Sequence, residues 1–96
     1  MSIPKYREAH CFYEEAARVY QLVDPLQAAT VVIKQAKCMM YSGRSEDAVN
    51  FALLGIQQKR ELQSDEDDLA YSLDDCASVL IGCNRTFDVV FGRGVE

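Results

Sequence analysis

The sequence predicts an all-α protein of antiparallel helical hairpins, four to five helices in all. Three observations predict it. Apolar residues recur at spacings of three and four along four successive segments, the period of one helix face. Only 5 Gly and 2 Pro occur in 96 residues, which suits long helices joined by tight turns. The hydrophobic fraction of 49% is enough for a core and excludes disorder as the default.

The first helix is expected over 4–23, with Ala9, Phe12, Ala16, Val19 and Val23 as its stripe. Pro4 is acceptable in a first helical turn. Asp24-Pro25 ends this helix and begins the next. A residue before proline is biased away from helix, Asp is a good N-cap, and Pro suits the first helical position. The second helix is expected over 25–41, with Leu26, Ala29, Ile33, Ala36 and Met40 on one stripe. Val31-Val32-Ile33 is β-branched and fits a strand locally, but its Gln, Ala, Lys and Met neighbours favour helix. Gly43 should supply a left-handed C-terminal residue and Ser45 should cap the third helix.

The third helix is expected over 45–63. Ala48, Ala52, Gly55 and Lys59 mark a narrow face of small side chains, flanked by Val49, Leu53 and Ile56. Ser64 followed by Asp67 resembles a capping box for a fourth helix over 66–82, and the acidic residues there favour a helix N-terminus. The same acids lack the alternating ligands, central Gly and terminal Glu of a calcium loop. Leu69, Leu73, Cys76, Leu80 and Cys83 form the fourth stripe. A fifth helix is expected to start at Thr86. The chain then reads as one helical-repeat domain over 1–91, followed by a frayed tail over 92–96.

The turns after helices two and four look alike. Arg44, Ser45, Asp47 and Val49 align with Arg85, Thr86, Asp88 and Val90, an offset of 41 residues. Ala36, Gly43, Ala48 and Gly55 follow the small-residue spacing of a helical hairpin, in which small side chains let two helices approach closely. These residues resemble the tetratricopeptide repeat (TPR), most closely over residues 29–62. The family's usual aromatic positions are Met39, Ser45 and Ala52 here, and the offset is longer than the family's 34 residues. The resemblance implies a TPR-like right-handed solenoid fragment that binds proteins. The long helices are also similar in architecture to the SNAP-type adaptors of vesicle fusion.

The net charge of −5 is unevenly spread. Residues 1–60 carry eight basic and six acidic side chains, whereas residues 61–96 carry two basic and nine acidic. No basic stripe suited to nucleic acid results. No apolar run approaches the roughly 18 residues of a membrane helix. The N-terminus lacks the apolar stretch of a signal peptide, so a soluble protein is expected. Cys11, Cys38, Cys76 and Cys83 form no CxxC pair, and the single histidine, His10, adjoins Cys11 at about 100° around a helix, a poor chelating geometry. Buried free thiols in a reducing, cytoplasmic compartment are the expectation. With one histidine, no phosphate loop and only diverging pairs of carboxylates, no catalytic, cofactor or metal site is expected.

Within the resemblance, the groove of such a repeat is lined by the first helix of each hairpin. This implies partner-binding roles for Ile33, Lys37, Met40 and Tyr41 on helix two, and for Tyr71 and Asp74 on helix four. Ile33, Met40 and Tyr41 would be apolar anchors, with Lys37 facing Asp74. Lys34, Lys37 and the acidic stretch Asp65–Asp68 would set orientation. Asp74 stands where a clamp for a terminal carboxylate would want a donor, so an amphipathic helix is the expected ligand. The expected function is a non-catalytic protein–protein interaction module, an adaptor or scaffold or a chaperone-like binder, for a helical protein partner. The alternative is a self-associating structural subunit, for example a homodimer, that buries its own uncapped ends.

Overall fold

The computed structural model describes residues 3–83. They form four α-helices: α1 (Ile3–Val23), α2 (Pro25–Tyr41), α3 (Ser45–Glu61) and α4 (Glu66–Gly82). No strand occurs among the described residues, and Val31–Ile33 is helical. The fifth helix expected from Thr86 and the tail over 92–96 lie outside them.

Asp24 behaves as the sequence predicts. The Gln27 N–H donates to its Oδ1 at 3.3 Å, and Pro25 opens α2. After α2 the chain reverses through Ser42–Arg44. Gly43 adopts φ +86°, the left-handed region where a side chain is strained. The Arg44 N–H donates to the Met39 carbonyl at 2.8 Å and the Gly43 N–H to that of Met40 at 3.2 Å, closing the helix with a Schellman motif. The same pair of bonds ends α3, from Ser64 to Lys59 and from Gln63 to Arg60. There the left-handed residue is Gln63, at φ 56°, so α3 stops at Glu61 instead of running to 63.

Two expected caps are corrected. Arg44, not Ser45, is the N-cap of α3, and it caps without a side-chain bond to the backbone. Its guanidinium binds Asp47 in the first turn instead, at 2.7 and 3.0 Å. At α4 the cap is Asp65, whose Oδ1 accepts from the Asp68 N–H at 2.8 Å. Ser64 Oγ is buried and makes no hydrogen bond. A carboxylate is the stronger acceptor for a helix N-terminus, so Asp65 wins over its neighbour.

α2 is the central helix. It packs along α1 on one side and α3 on another, and α4 rests on both α3 and α2. Ala36, Ala48 and Ala52 are completely buried where α2 meets α3. Gly55 faces Ile33 so closely that an added side-chain carbon would lie 2.5 Å from Ile33 Cγ1 and 3.2 Å from the Ala29 carbonyl oxygen. The small-residue face of α3 thus does what its spacing predicts. Ala48→Leu is expected to destabilise the fold by about 1–3 kcal/mol through overpacking, read as a lowered melting temperature. An unchanged melting temperature would mean that α3 meets α2 through another face.

Cys38, Cys76 and Cys83 are buried free thiols, whereas Cys11 is exposed, contrary to the expectation that all four are buried. The Cys76 thiol donates to the Ala52 carbonyl at 3.2 Å. Burial, reinforced by the neighbouring Asp75 carboxylate, pushes its pKa up to about 11, so it stays protonated and inert at neutral pH.

Candidate interaction surface

The six residues that the sequence assigns to one groove do not share a surface. Ile33 is only 2% exposed and belongs to the core, against Gly55 of α3. It is withdrawn as a surface anchor. Met40 is half-buried, and its sulfur lies directly over Gly82 at the end of α4. Tyr41 turns the other way and stacks on Tyr6 of α1, with ring centroids 4.8 Å apart and planes 22° apart. Three side chains expected to form one patch therefore face three different helices. The reason is the position of α2: a helix with neighbours on three sides leaves little apolar surface for a ligand. Its broad run of apolar residues, Ala28, Ala29, Val31, Ile33, Ala36, Cys38 and Met39, carries that signal in the sequence.

Lys37 also has a different partner from the one expected. Its Nζ donates to Asp75 Oδ1 at 2.8 Å, so Asp75, and not Asp74, joins α2 to α4. Both side chains are more than a third exposed, which makes this a weak, screened pair that positions more than it stabilises. Asp68 is likewise committed, to Lys59, and Asp65 is committed to the cap of α4. Of the charges expected to orient a partner, Lys34, Glu66, Asp67 and Asp74 are exposed and make no ion pair among the described residues.

The surface that remains open lies on the outward face of α4. Asp67, Tyr71, Asp74, Ser78 and Ile81 recur at spacings of 4, 3, 4 and 3 and are all exposed. They form a stripe with an aromatic ring near its middle, an aliphatic side chain at one end and two carboxylates. Of these, Tyr71 and Asp74 are the residues assigned to partner binding from the sequence, which places its apolar anchors on α2. A second apolar surface is on α1, where Phe12, Val19, Leu22 and Val23 are exposed. The expected α1 stripe included Phe12, Val19 and Val23 as core residues. Of that stripe only Ala9 and Ala16 turn partly inward, together with Tyr6, His10, Tyr13 and Ala17. Both faces of α1 are apolar, so periodicity could not choose between them. No helix among the described residues is long and apolar enough to cross a membrane. No family model, curated protein or solved structure matches this chain.

Proposed function

We propose that this protein is a non-catalytic protein–protein interaction module, a fragment of a TPR-like right-handed solenoid built from antiparallel hairpins, that binds a helical partner. The observation that carries the reading is the exposure of large apolar side chains on the two outermost described helices. Phe12, Leu22 and Val23 of α1 and Tyr71 and Ile81 of α4 are each 73–85% exposed. Clusters of such side chains mark interaction surfaces, and the ends of a repeat stack stay apolar unless a polar capping helix or a partner covers them. The resemblance at Ala36, Gly43, Ala48 and Gly55 supports the hairpin reading of α2 and α3. A cytoplasmic location agrees with four free thiols.

On α4, the carboxylates Asp67 and Asp74 flank Tyr71, and Asp74 lies between the two apolar anchors, so the complementary partner is a basic amphipathic helix. A labelled synthetic helix with a leucine face bordered by lysines is expected to bind, and its glutamate counterpart is not. Combining Tyr71→Ala with Ile81→Ala should weaken that binding about tenfold or more, a loss of about 1.4 kcal/mol, while helicity is kept. Equal binding of both peptides, or full binding by the double variant, would move the site off α4.

The second reading is self-association, favoured because both outermost described helices carry apolar surface. In that case α1 of one copy covers α4 of the next. Sedimentation equilibrium separates the readings: a strict monomer at high concentration supports the first, a reversible oligomer the second.

A further inference from the structure

We propose that a cleft between α1 and the α2–α3 turn binds an oxyanion, a carboxylate or a phosphate monoester, at a site separate from the α4 surface. The cleft has a volume of about 370 Å³ and is lined by Arg7, His10 and Cys11 of α1, Met39 of α2, and Ser42 and Arg44 of the turn. Three features give it its chemistry. His10 Nδ1 is buried and makes no hydrogen bond, although a ring nitrogen shut away from water needs a partner. Arg7 makes no ion pair among the described residues. Arg44 uses Nε and Nη2 on Asp47, and its Nη1 makes no hydrogen bond among the described residues.

Two contacts hold the His10 ring. Its Nε2 faces Glu14 Oε2 at 3.9 Å, and the ring leans on Phe51 with centroids 6.4 Å apart. An oxyanion in the cleft is drawn by the two guanidinium groups, which offer planar, forked donors, and it reaches Nδ1–H only once the His10 ring turns, because Nδ1 is closed to water-sized atoms as it stands. Glu14 and Asp47 are the acidic groups paired with the cleft's His10 and Arg44, so two negative charges offset part of this attraction. The volume far exceeds that of one small ion, whereas a water takes about 30 Å³. Met39 and Cys11 give the lining an apolar part. An anionic group carried on a larger body fits best.

The test uses the full chain and its single histidine, whose NMR resonance needs no assignment by mutation. At constant ionic strength the protein is titrated with inorganic phosphate, acetate or N-acetyl-phosphoserine amide, and the pH midpoint of His10 is followed. The expected result is a rise of about one unit with at least one of them, the direction an opposite charge at close range imposes. The rise should vanish in Arg7→Gln and return in part in Arg7→Lys, with helicity unchanged in both. Alkylation of Cys11, the one exposed thiol of the four, should slow several-fold under the same ligand. A response to inorganic phosphate alone identifies a free ion as the source. A response to acetate identifies the carboxylate as the preferred group, and a response to the phosphoserine amide beyond that to inorganic phosphate identifies a phosphate group carried on a polypeptide. No shift with any of the three, or an equal shift in Arg7→Gln, overturns the proposal.

Discussion

Ile33→Ala is expected to destabilise the protein by about 2–5 kcal/mol, the range for truncating a fully buried aliphatic side chain. Ile33 is 2% exposed, and its Cγ1 and Cδ1 fill the space in front of Gly55. Because the opposing position has no side chain, nothing on α3 can swing in to fill the void. Closing it would require backbone to move against the buried contacts of Ala36, Ala48 and Ala52. A urea titration should show a lower midpoint with an unchanged slope. For a chain of this size, each kcal/mol lost corresponds to roughly 4–8 °C of melting temperature. The outcome separates two roles for one residue. A core residue gives the large loss of stability, whereas a groove anchor gives nearly native stability and weaker partner binding.

Asp68→Ala is expected to cost about 2–3 kcal/mol, below the 3–5 kcal/mol of a fully buried pair because the Asp68 side chain keeps 40% of its exposure. Its partner Lys59 is 1% exposed and donates to both carboxylate oxygens, at 2.8 and 2.9 Å. This pair joins the last turn of α3 to the first turn of α4. Removing the carboxylate leaves an ammonium group enclosed by protein with no counter-charge. Lys59→Met removes the charge and keeps most of the volume, and should change stability by less than about 1 kcal/mol. The double variant should therefore be more stable than Asp68→Ala alone, a coupling that a double-mutant cycle measures directly. If Asp68→Ala and Lys59→Met cost the same, the pair acts as an ordinary surface salt bridge.

The helices were legible because local chemistry dictates them. Asp24-Pro25 encodes a stop and a start in two residues, and Gly43 takes the one conformation that glycine favours. The small residues Ala48, Ala52 and Gly55 announce a close crossing wherever their partner lies. The end of α3 was harder to read, because Gln63 takes a left-handed turn that nothing in its side chain advertises. The cap of α4 lies one residue from the expected one because Ser64 and Asp65 both offer an acceptor, and the stronger carboxylate takes the role.

The candidate surface was least legible, and the cause is physical. Periodicity tells which residues share a face of one helix. It does not tell which neighbour that face meets. Ile33, Met40 and Tyr41 are all plausible anchors on an isolated α2, but α3, α4 and α1 each claim one of them. Lys37 could reach either Asp74 or Asp75 by sequence, and packing gives it Asp75. By itself the sequence determined the all-α class, four helices to within two residues at each end, and the small-residue crossing, since those follow from backbone preference and side-chain volume. Only the tertiary structure decided which apolar face of α1 is buried, which α2 residues lie in the core, and that an enclosed Lys59 pairs with the partly exposed Asp68. Each of those depends on how distant segments divide a limited buried volume among themselves.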